Sequence, residues 1–307
     1  MPQIATHAEV KDRRTQRDVA GGHHVWRTDF IIAAKEETDK PQAFLIESTP
    51  NRVLRTHFHE VDQFQVVVQG DGVLAKHNLA PAGVHFARAF TPYGPITNGK
   101  EGLSFITLRA RRDPGKAQFI PERLERLNAV ERKPWQFTQM PQFEAAVQDV
   151  AVRPIAGMQD ANGLAGYAVT LQPGATVLTP DPAGSEGQFV VVLKGSLIHD
   201  HREYPVLSVV FVAADEGAFK LVSGAAGLEA VVLNFPLHEK HVSAAGHRAN
   251  SAELKSWQCK LCAVTYDEAA GLPDEGIPPG TRWADVPADW TCPDCAADKS
   301  GFEVLEL

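Results

Sequence analysis

The feature that most constrains this chain is a set of four cysteines confined to positions 259 to 295, in two Cys-x-x-Cys pairs. The pairs are Cys259-Lys260-Leu261-Cys262 and Cys292-Pro293-Asp294-Cys295, and the 307 residues contain no other cysteine. In a cytosolic chain this pattern reads as a metal site rather than a disulfide framework. Each pair can form a tight knuckle that points two sulfurs at one ion. Two knuckles close a tetrahedral four-sulfur site suited to zinc or iron. Spacing alone does not separate those metals.

The residues around the knuckles add to this. Trp257, Tyr266, Trp283, Trp290 and Phe302 supply more aromatic mass than a minimal zinc ribbon needs. They can give a unit this small a core, with the metal as its staple. With Asp267, Gly271, Pro273, Gly276, Pro279-Gly280-Thr281, Val286 to Asp289 and Lys299, the stretch 255–307 resembles rubredoxin along its whole length. The resemblance implies a mononuclear Fe(III)/Fe(II) centre on Cys259, Cys262, Cys292 and Cys295 that relays one electron. Ala263 and Ala296 depart from the pattern, because the family usually has glycine after each knuckle. Those glycines let backbone N–H groups approach the sulfurs, and such bonds tune reduction potential.

Charge separates this tail from the rest. Residues 255–307 carry ten acidic and four basic side chains, a net of −6 out of −8 for the chain. An acidic tail argues against nucleic acid and suits docking on a basic protein surface. The chain has no apolar run long enough to span a membrane. Met1 to Val10 lacks the pattern of a secretory signal, so a cytoplasmic location is expected.

Upstream, short β-rich runs punctuated by Gly, Pro and Asn occupy 43–46, 64–68, 84–86 and 103–108. They resume at 167–171, 189–193, 206–212 and 228–235. Many short strands with regular turns predict a barrel or sandwich. Helices are expected at 121–129 and 141–147. Gln63-Phe64-Gln65-Val66-Val67-Val68-Gln69-Gly70 matches Gln188-Phe189-Val190-Val191-Val192-Leu193-Lys194-Gly195 at five of eight positions, 125 residues apart. This points to a duplicated unit.

His57-Phe58-His59 places two imidazoles on one face of an extended strand, as a metal site requires. With Gln63 and Gly70 following, and Pro92-Tyr93-Gly94 further on, residues 40–110 resemble a cupin barrel, with a degraded copy over 165–236. Gln63 stands where the family has Glu, and Thr97 where it has a third His. In the second copy Pro182 and Gly184 replace the two His, so no metal is expected there.

The whole therefore resembles a bicupin fused to rubredoxin. This implies a mostly β fold: two double-stranded β-helix (jelly-roll) barrels and a small iron domain. The expected domains are 1–135, 136–238, a linker at 239–254, and 255–307. A second iron on His57 and His59 is expected to need completion by a neighbour such as Glu47 or His85; the alternative is a ligand pocket without metal. Tyr93 lines that pocket or fills the barrel.

Other histidines are read as solvated. His199-Asp200-His201 fits a hairpin tip, and His23-His24, His238, His241 and His247 lie in segments without strand pattern. The basic run from Arg109 through Arg111, Arg112, Lys116, Arg123, Arg126 and Arg132 to Lys133 reads as a solvated helix, or as a landing face for the tail.

The resulting expectation is a cupin oxygenase or oxidoreductase acting on a small organic substrate, with His57, His59 and Gln63 as catalytic candidates and electrons from the fused tail. No Gly-x-Gly-x-x-Gly follows a strand, so an NAD(P)H-dependent rubredoxin reductase is expected as partner. A homodimer is compatible with this organisation. The alternative is a non-catalytic ligand-binding bicupin whose tail is an electron carrier or redox sensor.

Overall fold

Two long strands anchor the architecture: Gln63–Leu74 and Gln188–His199, twelve residues each, with the same order of burial over their first eight positions. The computed structural model describes residues 1–130, 133–143, 150–238, 254–260, 262 and 264–305. Valine and phenylalanine favour a pleated, half-buried surface, which is why the repeated octamer forms a strand in both places. Gly70 and Gly195 end the octamers with φ of +76° and +67°. A Cβ at Gly70 would lie 2.1 Å from the Gly102 carbonyl oxygen, and one at Gly195 would lie 2.0 Å from that of Gly227. Glycine is therefore required twice by the same close approach of backbone.

Around each anchor the sheet is built in the same order. In the first barrel, Val84–Ala87, Gln63–Leu74, Ile96–Arg109, Gln42–Ser48 and His23–Ile31 lie side by side. In the second, Val209–Val212, Gln188–His199, Lys220–Asn234, Ala165–Leu171 and Val150–Gln159 repeat that arrangement, all pairs antiparallel. The outer strands are exchanged. Gln136–Gln139 precedes the second barrel in the chain but pairs with Val84–Ala87 of the first. Gln3–Ala5 precedes the first barrel but pairs with Val209–Val212 of the second. The first sheet thus runs past the expected boundary at residue 135, and the second borrows the start of the chain.

The barrels share one core. Phe64 and its counterpart Phe189 both meet Phe235, at ring separations of 4.9 and 5.8 Å. All three are essentially inaccessible to solvent, and burial of a side chain this size contributes about 1.5–3 kcal/mol. No helix among the described residues is long and apolar enough to cross a membrane.

Several expectations change here. The helix expected at 121–129 is Leu124–Asn128, and most of the one at 141–147 lies outside the described residues. The basic run is not one helix face: Arg109 is buried at the end of a strand, Arg111 pairs with Glu186 of the second barrel at 2.5 Å, Arg126 lies on that helix and pairs with Glu60 at 2.6 Å, and Arg132 lies outside the described residues. Arg109, Arg111 and Arg126 each tie separate segments. His23 and His24 sit on a strand after all, held by Thr49 and Asp18. Asp200 and His201 form the turn between Gln188–His199 and Arg202–Pro205, as a hairpin tip requires. His238 is exposed, and His241 and His247 lie outside the described residues.

Candidate metal centre and barrel pocket

The C-terminal unit is a three-stranded sheet, Thr265–Asp267, Ser256–Cys259 and Phe302–Val304, with both knuckles at one end. Trp283 is the hub of its core. It stacks on Trp257 at 5.2 Å and meets Trp290 edge-on at 5.6 Å and Phe302 at 4.8 Å. Lys299 donates to the carbonyls of Trp283 and Val286, both at 2.7 Å. The buried Glu268 accepts from the Trp257 indole, the Trp283 amide and the Lys255 amide. Burial pushes this carboxyl up, but those donors together hold it below the usual range.

The four Sγ atoms all lie within 4.8 Å of one another, with Cys259–Cys295 and Cys262–Cys292 at 3.5 Å. Four sulfurs each about 2.3 Å from a central ion would stand at this spacing. Contact with the Cys292 sulfur and burial push the Cys262 thiol up, and burial pushes Cys295 up to about 11. A bound cation would relieve that cost, so the donor set fits a metal. Backbone turns fix the second knuckle: the Cys292 amide donates to Ala297 at 2.7 Å and the Ala296 amide to Cys292 at 2.8 Å. Ala296 has φ +58°.

The tail is seated on the first barrel. The Thr56 hydroxyl donates to the Cys262 carbonyl at 2.9 Å in a buried contact, and Gln136 donates to Asp294 at 3.3 Å. Asp294 is enclosed, and burial, with the charge of Cys292 added, raises it to about 7. Thr56 immediately precedes His57, so the first knuckle lies one residue from the histidine pair.

His57 and His59 do come together, with rings 5.3 Å apart, although the strand that carries them stops at Phe58. His57 Nδ1 donates to the Arg55 carbonyl at 2.8 Å, and His59 Nδ1 meets Asp113 at 2.6 Å. The Tyr93 ring lies 4.5 Å from His57 and 4.9 Å from His85. Glu47 does not join them; it pairs with Arg14 on the outer sheet. Gln63 donates its amide to the Tyr93 hydroxyl, while its oxygen accepts from Arg109 at 2.9 and 3.2 Å. Arg109 also reaches Asp113 at 3.2 Å and lies 3.0 Å from His59 Nδ1. Burial first, then neighbouring positive charge, lowers His57 and His85 to about 3 and His59 to about 4. All three are neutral near pH 7 and act there as hydrogen-bonding groups. Asp113 stays ionised, since His59 and Arg109 outweigh its burial.

Sequence reasoning does not mark Arg109, Asp113, Thr56, Gln136 or Asp294 as site residues. Arg109 had a signal. It shares the strand alternation of Leu103 and Phe105, which pack in the same cluster as Tyr93, and so points to the same side.

Among the described residues, the corresponding glutamine of the second copy has only neutral partners. Gln188 donates to Asn234 at 2.8 Å and to the Pro180 carbonyl at 2.9 Å. A neutral amide pair stands where the first barrel has glutamine and a guanidinium. A cleft between the barrels is lined by Val61, Arg111, Glu186, Phe235 and His238, and His57, His59 and His85 are not among its lining residues.

Comparison with known proteins agrees with this division. Residues 256–302 match the rubredoxin family model. Rubredoxin-2 of Pseudomonas aeruginosa is 59% identical over 54 residues, 18% of this chain and 98% of that protein. Rubredoxin-1 of Alcanivorax borkumensis is 57% identical over 54 residues, 18% of this chain and all of that protein. Among solved structures, a Nostoc punctiforme protein with a provisional dioxygenase designation aligns over 79% of this chain and 86% of its own, with a TM-score of 0.55 and 13% identity. An oxalate decarboxylase from Bacillus subtilis aligns over 79% of each chain, with a TM-score of 0.51 and 12% identity. These likenesses establish the two-barrel cupin fold.

Proposed function

Since the chain belongs to the rubredoxin family through its C-terminal unit, we propose that it is an iron-dependent oxidoreductase whose tail supplies electrons for chemistry on a small organic substrate in the first barrel. The buried contact of Thr56 with Cys262 carries this reading. An iron held by four thiolates carries one electron by alternating between its ferric and ferrous states.

Thr56 joins the two halves of the device. One hydrogen bond links its hydroxyl to the first knuckle, and one peptide link joins it to His57. Tethering keeps the tail at high local concentration beside the barrel. His57 and His59, fixed through their Nδ1 atoms, orient a substrate with Gln63. The net charge of −6 on the tail offers an acidic face to an NAD(P)H-dependent reductase in the cytoplasm.

The test is consumption of a candidate organic substrate by the reduced chain under oxygen. His57→Ala should abolish consumption while leaving the visible spectrum of the tail unchanged. The second reading, a ligand-binding barrel with the tail as redox sensor, is favoured by the near-complete burial of the histidine cluster. It predicts a ligand-dependent change in the potential of the tail without turnover.

A further inference from the structure

The barrel site invites a metal by its paired histidines, and its geometry argues against one. Among the described residues, the only group of three or more His, Cys, Asp and Glu whose ligand atoms all lie within 4.8 Å is the four-cysteine cluster. The Gln63 oxygen is not free to ligate a metal: it accepts twice from Arg109, while the nitrogen donates one of its two hydrogens to Tyr93. The Tyr93 ring packs against both His57 and His85, at 4.5 and 4.9 Å. A guanidinium that is 5% exposed lies 3.0 Å from His59 and shares Asp113 with it. A divalent cation here would face that fixed charge in a poorly solvated space, where like charges repel most strongly.

We propose that the first barrel works without a metal ion, and that the buried guanidinium of Arg109 supplies the fixed positive charge of the site. Arg109 organises the groups a metal would otherwise gather: it holds Gln63 by its oxygen and Asp113 by its carboxylate, and through Asp113 it fixes His59. The charges balance within the site, one guanidinium against one carboxylate, with the histidines and Tyr93 neutral. The second barrel follows the same logic in reverse. Asn234 stands opposite Gln188 in the sheet and accepts its amide at 2.8 Å, a neutral partner where Gln63 has Arg109. The site in the first barrel therefore recognises its substrate by hydrogen bonds and shape, and the one redox metal of the chain is in the tail. This rests on the oxidoreductase reading above and specifies it.

Metal content of the full-length chain tests the proposal. The protein is incubated anaerobically with excess Fe(II), and separately with Zn(II) and Mn(II). It is then desalted, and metal per chain is measured by mass spectrometry alongside the visible spectrum. The expected result is no more than one ion per chain in each case, with the same count in the His57→Ala/His59→Ala double variant. A second equivalent in the wild-type chain that the double variant lacks would overturn it. If the double variant does not fold, the wild-type count decides: one ion supports the proposal and two sink it. Failure of the tail reading looks different, since it shows as a colourless protein holding zinc while the count stays at one.

Discussion

Thr56 and Cys262 are 206 residues apart in the chain, and the hydroxyl of one donates to the carbonyl of the other at 2.9 Å in a buried contact. The bond fastens the first knuckle to the strand segment that carries His57. Thr56→Val keeps the shape and removes the donor, leaving a buried carbonyl unsatisfied at a cost of about 1–3 kcal/mol. The docked state of the tail should lose roughly 5- to 150-fold in population. Hydrogen exchange at Thr56 and in the first knuckle should rise, while the four-thiolate spectrum is retained. Unchanged protection would mean that the contact does not hold the tail in place.

Acid should weaken the first barrel in a defined window. His57, His59 and His85 have folded values of about 3, 4 and 3 against an unfolded 6.5. Below pH 6.5 the unfolded chain takes up protons that the folded chain refuses. Stability is therefore full above 6.5 and falls as pH drops, by roughly 1.4 kcal/mol per pH unit for each histidine kept neutral. The fall ends near the folded values. Urea midpoints between pH 7 and 4.5 should follow this slope, and His85→Asn should make it shallower. A flat profile in the wild-type chain would contradict it.

Residue spacing made some of this legible and not the rest. The cysteine knuckles, the aromatic core and the duplicated octamer are local patterns, and each folds where its periodicity points. The strand exchange could not be read in the same way, because Gln3–Ala5 and Gln136–Gln139 are three and four residues long and their partners are set by the pairing of two barrels. Arg109 was hidden by composition. Surrounded in sequence by other basic residues, it reads as surface, yet strand alternation turns it inward to Asp113, four positions on and buried too. Thr56 has no motif at all; only the tertiary contact gives it a role.

Ala296 is a departure from the rubredoxin pattern with a measurable consequence. Its φ of +58° is left-handed, which costs a residue with a Cβ about 1–2 kcal/mol. Glycine would remove that cost but would enlarge the unfolded ensemble by about 0.4–1 kcal/mol. Ala296→Gly should therefore stabilise the tail by roughly 0.5–1 kcal/mol. The check is the denaturant midpoint for loss of the iron–thiolate absorbance, which should move upward in the variant. A lower midpoint would show that the backbone turn is not strained.

Two glycines with nearly the same backbone angle separate strain from space in the second barrel. Gly174 has φ +73° and open space within 4 Å of where a Cβ would stand, whereas Gly195 has φ +67° with the Gly227 carbonyl oxygen 2.0 Å and its carbon 2.7 Å from that position. Gly174→Ala should cost only the left-handed conformation, about 1–2 kcal/mol. Gly195→Ala meets backbone that cannot rotate aside, which adds roughly 1–3 kcal/mol of overpacking. Urea unfolding followed by far-ultraviolet dichroism should place Gly195→Ala clearly below Gly174→Ala. Equal midpoints would mean that the two long strands can part at Gly227 without loss, and that the close approach shared with Gly70 is not what keeps glycine in the repeat.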